Sequence, residues 1–259
     1  MNNSDRLDRY LQKLLLDPER ADILKQANRI VAFSPHPDDV EIVAGGFLAS
    51  AVDRGAHVKV VITCDDRMSF TSIEKPLGME EIASVRKREE IEAMSVLGIE
   101  DLEFLEYIDS QVPEPSLLVR DYLRIMRSYD PDLALTVDPY LPYEAHPDHI
   151  HTGMGVMRAV LFHGYPYIMR DLTVKSRPPI LALGASACPN VIVPIDDSID
   201  RKMKSILAHA SQFPDQEKII EDIRSLSSAL GKYAGFRYGE AFKVLRSDEI
   251  HLNILASVG

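Results

Sequence analysis

His-Pro-Asp is written twice in this chain, once as HPDDVE at residues 36–41 and once as HPDH at residues 146–149. Each copy is followed by a further group able to bind a metal, Asp39 in the first and His149 in the second. A catalytic zinc takes three protein ligands from histidine, cysteine or carboxylate and leaves one position for water. His36, Asp39 and His149 are the expected ligands, and Zn2+ the expected cofactor. Zinc lowers the pKa of bound water from about 15.7 to about 7, so the remaining carboxylate, Asp38, is expected beside that water as general base. His146 is expected to face a carbonyl oxygen as it becomes an oxyanion, preferably as the charged imidazolium. Asp148 is expected to orient one of the histidines through its second nitrogen. A set of this kind hydrolyses an amide.

Two stretches so far apart can serve one site only if the fold brings them together. Proline follows the histidine in both copies, at Pro37 and Pro147, and proline suits the first helical position. Each histidine then stands at the start of a helical turn, where the helix dipole favours carboxylates. Each motif also begins at the end of an apolar run, RIVAFS (29–34) for the first and DLALTVD (132–138) for the second. Further strands are expected at AHVKVVITC (56–64), LEFLEY (102–107), VIVPID within the less regular 165–195, and RYGEAFKVLRSDEIHLNIL (237–255). Helices are expected at 43–54, 79 to Gly98, 116–129, 147–162, 197–211 and 215–231. Another is expected over the first twenty residues, with Leu7, Tyr10, Leu11, Leu14 and Leu15 as its apolar stripe. Strands alternating with helices predict an α/β fold, a mainly parallel sheet with helices on both faces. In such sheets the first and fourth strands are often neighbours, and ligands bind beyond their carboxyl ends. One His-Pro-Asp alone reads as a capped helix with an acid near its N-terminus; two at matching strand ends favour a site.

The 29 basic and 40 acidic residues leave a net charge of -11, which disfavours nucleic acid as a partner. Apolar runs such as VKVVITC (58–64) fall well short of the roughly 20 residues that cross a bilayer. The charged N-terminal stretch is no signal peptide, and two cysteines, Cys64 and Cys188, fit a reducing cytoplasm. One domain over 1–259 is expected. No complete GxGxxG is present, so the fold is not read as binding NAD. Cys64 reads as a core residue, His57, His163 and His209 as structural, and His151 as part of a solvated helix surface. From spacing alone, the ordinary role of Arg86 is an i to i+4 ion pair with Glu90.

HPDDVEIVAGG with a downstream HPDH resembles the LmbE/PIG-L family of zinc-dependent N-acetylglucosaminyl deacetylases. The likeness takes in RKREEIEAMSVLG (86–98), Asp109 in EYIDS, DPYLPYEAHPDHIHTG (138–153), SQFPD (211–215) and RYGEAF (237–242). The last three are similar to the branch containing the N,N′-diacetylchitobiose deacetylases. The resemblance implies a Rossmann-like three-layer fold, the metal ligands given above, Asp38 as base and His146 as oxyanion partner. It also implies substrate contacts at Arg86 and Asp109. Tyr140 stands where that branch often has a sugar-stacking tryptophan, and His251 stands for a C-terminal histidine that reaches a neighbouring subunit's site in a trimer or dimer of trimers. The commonest family version has Glu directly after the second Asp; here Val40 intervenes before Glu41, an order some members share. The expected activity is removal of the acetyl group from an N-acetylglucosamine unit of diacetylchitobiose or a short chitooligosaccharide. Deacetylation of another N-acetylglucosaminyl conjugate is the alternative within this class. A metal phosphoesterase would need two metals about 3.5–4 Å apart and more bridging carboxylates. A sugar-binding protein with a structural zinc would close all four metal positions with protein.

Overall fold

Short apolar runs with no polar alternation suit strands covered on both faces. The computed structural model, which describes residues 7, 8, 10–12, 14–68, 77–174 and 177–254, folds them so. The strands are β1 (Arg29–Ser34), β2 (His57–Cys64), β3 (Asp101–Tyr107), β4 (Leu133–Val137), β5 (Ile180–Gly184), β6 (Val191–Pro194) and β7 (Gly239–Leu245). The helices are α1 (Pro18–Gln26), α2 (Asp39–Asp53), α3 (Met79–Leu97), α4 (Pro115–Tyr129), α5 (Pro147–Phe162), α6 (Ile199–Ala208) and α7 (Gln216–Ala234). The sheet order is β3-β2-β1-β4-β5-β7-β6, and β7 alone runs against its neighbours. This is the Rossmann-like winding, and its reversal point falls between β1 and β4. There Ile30 pairs with Leu133 and Ala32 with Leu135, so both strands end at the same edge.

Helices cover both faces. On one side Ala44, Phe47 and Leu48 of α2 and Met94 and Leu97 of α3 pack on Ile30, Ala32 and Val60. On the other, Leu118, Tyr122 and Met126 of α4 and Val156 and Ala159 of α5 pack on Val31, Phe33 and Ala134. The result is three layers, as expected. Gly98 ends α3 at φ 82, a left-handed cap that glycine adopts without strain. In the VAGG of α2, a Cβ on Gly46 would stand 2.8 Å from Ile195. The buried Glu240 carboxylate accepts the N–H groups of Gly46 (2.9 Å) and Phe47 (2.7 Å), with Lys202 paired to it at 2.5 Å.

Two expected elements differ. The N-terminal stretch is not one helix: Asp17 caps a new one at Pro18, accepting the N–H of Glu19 and Arg20. Leu14 is buried beside Ile192 and Leu230, whereas Leu15 is 62% exposed, so no single stripe exists. Residues 1–6, 9 and 13 of that stretch lie outside the described residues. The tail leaves the sheet at Leu245 and makes a 3-10 turn, Ser247–Glu249. Arg20 fixes that turn by two bonds to the Glu249 carboxylate, at 2.7 and 2.6 Å. No helix among the described residues is long and apolar enough to cross a membrane.

Candidate metal centre and active site

Beyond β1 the chain turns sharply. Ser34 Oγ donates to the His36 carbonyl at 2.6 Å and accepts the Val40 N–H at 3.2 Å, which folds the HPDD segment back over the strand end. Asp38 takes φ 104 and ψ -28, and α2 begins at Asp39. Beyond β4, a loop leads to His146, which caps α5: its Nδ1 accepts the Asp148 N–H at 3.3 Å, and Pro147 occupies the first helical position. The N-termini of α2 and α5 thus meet at the shared edge of β1 and β4, and the ring centroids of His36, His146 and His149 lie 4.6 to 5.1 Å from one another.

The candidate ligand atoms form a nearly equilateral triangle. His36 Nδ1 is 3.2 Å from Asp39 Oδ2 and 3.2 Å from His149 Nε2, and His149 Nε2 is 3.3 Å from Asp39 Oδ2. Donors about 2.0–2.1 Å from a tetrahedral zinc lie about 3.3 Å from one another, the edge of the tetrahedron. The three residues therefore fit a metal without rearrangement, with the fourth corner left open. His149 turns its other nitrogen to a carboxylate, an arrangement that orients ligating imidazoles; His36 Nε2 faces two carboxylates without hydrogen-bonding to either. His36 Nε2 lies 3.3 Å from Asp148 Oδ2 and 3.5 Å from Asp109 Oδ1. His149 Nδ1 lies 3.1 Å from Glu144 Oε2. A second acid-histidine group shares His36 and contains Asp109, His146 and Asp148. Its acceptors are already used: Asp148 takes the N–H groups of Ser110 (2.7 Å) and Val112 (3.3 Å), and Asp109 takes that of Met68 (2.9 Å). The triangle is the better metal site.

Burial raises the Asp39 carboxyl, but hydrogen bonds from His149 and His36 outweigh it and hold the group far below the carboxylate range. His146 differs from expectation. Burial lowers its pKa, charge on His36 and His149 lowers it further, and its Nδ1 already accepts a hydrogen bond. Both effects disfavour the imidazolium form, and an Nδ1 that accepts leaves Nε2 to carry the ring N–H.

Residues 31–160, which span both motifs, match the model of the GlcNAc-PI de-N-acetylase (PIG-L) family. The chain belongs to that family. It is 30% identical over 236 residues to the diacetylchitobiose deacetylase of Thermococcus kodakarensis, covering 89% of this chain and 88% of that protein. It is 29% identical over 199 residues to a probable N-acetyl-alpha-D-glucosaminyl L-malate deacetylase 2 of Bacillus cereus, covering 74% and 86%. Among solved structures it is similar to the N,N′-diacetylchitobiose deacetylase from Pyrococcus horikoshii in complex with the inhibitor MPG. There the TM-score is 0.84 at 31% identity, covering 98% of this chain and 97% of that one.

The residues expected to contact substrate differ widely in exposure. Arg86 is 0% exposed, and its guanidinium is consumed internally. Nε donates to Asp66 (2.6 Å), Nη1 to Glu89 (2.7 Å) and Nη2 to both Asp38 (2.8 Å) and the Pro37 carbonyl (2.7 Å). It faces Asp38, and its helical partner is Glu89, not Glu90. Asp109 is likewise 1% exposed and stands behind His36. Tyr140, by contrast, is 64% exposed on the rim of a cavity of about 450 Å³ lined also by Met157, Leu183, Leu245, Ile250 and Leu252. His251 is exposed in the tail beside that cavity, outside the histidine cluster. His151 Nδ1 lies 2.9 Å from the Val112 carbonyl; only a donating Nδ1–H suits a carbonyl, so the ring is tied to the loop and not simply solvated. Glu144 escaped the sequence reading, although an acid two residues before a His-Pro-Asp was its available signal.

Proposed function

We propose that this chain is a zinc-dependent N-deacetylase of N-acetylglucosamine units, with diacetylchitobiose or a short chitooligosaccharide as substrate. The observation that carries this reading is the ligand triangle of His36, Asp39 and His149 with Asp38 adjoining it in sequence and His146 stacked against it. When bound there, zinc would bring the pKa of water to about 7 and polarise the acetamide carbonyl. Asp38 takes the proton of the attacking water as its oxygen bonds to the carbonyl carbon. His146 donates its Nε2–H to the carbonyl oxygen as that oxygen gains charge. Asp38 then returns the proton to the nitrogen as the C–N bond breaks, which yields acetate and a free amine. Asp148 holds the His36 ring, and Tyr140 offers a face on which a sugar ring can stack.

The same reading makes the chain a single domain, in the reducing cytoplasm to which its two free cysteines are suited. It also makes it a trimer or dimer of trimers in which the exposed His251 serves a neighbouring site. Light scattering should return at least a trimer, and a monomer would remove His251 from that role. The apolar lining beside Tyr140 supports a second reading, a glucosaminyl conjugate with an apolar group in place of the second sugar.

Acetate release from N,N′-diacetylchitobiose by metal-stripped protein, before and after zinc is restored, tests both. Release that depends on zinc is expected. No release from protein holding one zinc per chain would leave the site standing and turn the search to conjugates.

A further inference from the structure

Glu41, Glu90 and His209, each 0% exposed, form a second cluster against Asp38 that the mechanism leaves unused. His209 Nε2 is 2.7 Å from Glu41 Oε1 and 3.7 Å from Glu90 Oε2, and its Nδ1 is 3.4 Å from Arg86 Nη1. The imidazole therefore donates to Glu41 and accepts from Arg86. Glu41 Oε2 and Glu90 Oε1 are buried and take no hydrogen bond from any described residue. A metal is one use of such a trio. It is disfavoured here, because 2.7 Å is a hydrogen bond and not the edge of about 3.3 Å around a tetrahedral ion, and because the Arg86 guanidinium adjoins His209.

The front of this cluster meets the base. Glu90 Oε2 accepts the Asp38 N–H at 3.3 Å. Asp38 has φ 104, a conformation that a non-glycine residue keeps only where its surroundings over-determine it. Arg86 holds its carboxylate and the preceding carbonyl. Arg86 and Glu90 lie four residues apart on α3, so one rigid helix face delivers both grips.

We propose that Glu90 is a positioning residue for the base: braced from behind by Glu41 and His209, it holds the Asp38 backbone in the left-handed conformation that sets its carboxylate against Arg86 and the metal centre. This rests on Asp38 being the base.

Glu90→Leu removes the grip, whereas Glu90→Gln keeps it, since the amide oxygen can accept from Asp38 and the amide N–H can donate to Glu41. On the full chain loaded with zinc, Glu90→Leu is expected to lower kcat for acetate release about 10–100-fold, with KM within about twofold and one zinc per chain retained. Glu90→Gln should stay within about threefold of the parent. Combined with Asp38→Asn, Glu90→Leu should cost little more, because the group it positions is gone. Hydrogen exchange of the Asp38 amide in zinc-free protein should quicken at least about tenfold in Glu90→Leu and not in Glu90→Gln, a readout independent of substrate and metal. Unchanged exchange, or losses in the double variant that multiply, would overturn the proposal. So would a second zinc per chain that Glu90→Gln abolishes. Should Glu90→Leu not fold, a collapse of kcat in Glu90→Gln would do the same, because the amide keeps the grip on the Asp38 N–H. Failure of the base reading shows separately, as an Asp38→Asn variant that still turns over.

Discussion

Asp38→Asn should keep its full complement of zinc and lose about 10²–10⁴-fold in acetate release, the range a positioned general base contributes. The substitution is close to a pure test of chemistry, because little else at that position depends on the charge. Asparagine is among the few residues that tolerate a left-handed backbone, so the φ of 104 survives. The amide oxygen can still accept from Arg86 Nη2. Arg86 also keeps Asp66 at 2.6 Å and Glu89 at 2.7 Å, so removing one carboxylate does not leave a buried cation unpaired, the outcome that makes broken buried ion pairs so destabilising. None of the three ligand atoms belongs to Asp38. Metal analysis alongside kinetics therefore separates a lost base from a lost site, and near-normal turnover would take Asp38 out of the mechanism.

That test can be framed because the essential geometry is legible in the residues themselves. Pro147 sets the start of α5, and its observed span, Pro147–Phe162, is the expected one. The adjacency of β1 and β4 follows from right-handed winding of an open sheet, so two motifs distant in sequence had one place to meet. Periodicity failed where burial overrode it. A Glu four residues from an Arg pairs with it on a solvated helix face, but the face of α3 carrying Arg86 and Glu90 is turned inward. Inside the protein each charge or carboxyl must find a dedicated partner. Arg86 accordingly goes to Asp38 and Asp66, and Glu90 to the Asp38 N–H. His209 had no visible partner because Glu41 is 168 positions away in the chain. Glu144 stands two residues before His146, but that spacing does not by itself show its carboxylate reaching the imidazole of His149. The tail read as a strand on composition, yet the Arg20 pairing with Glu249 turns it out of the sheet.

His149→Ala should have the opposite signature to Asp38→Asn: zinc no longer bound tightly, and activity lost with it. The variant removes one corner of a triangle whose sides are 3.2, 3.2 and 3.3 Å, and two donors cannot fix a tetrahedral ion with an open position. A useful gauge is Glu144→Gln, which leaves the triangle intact but weakens the hold on the His149 ring. Loss of such an outer partner typically costs 10–100-fold in metal affinity or activity, so His149→Ala must weaken zinc binding by more than Glu144→Gln does. Equilibrium dialysis against a competing chelator measures both. The order parent, Glu144→Gln, His149→Ala is what a ligand and its orienting carboxylate must give. Zinc content unchanged in His149→Ala would instead place the ion on the other face of His36, among Asp109, His146 and Asp148, and His146 would then be a ligand with no N–H left to offer the reaction.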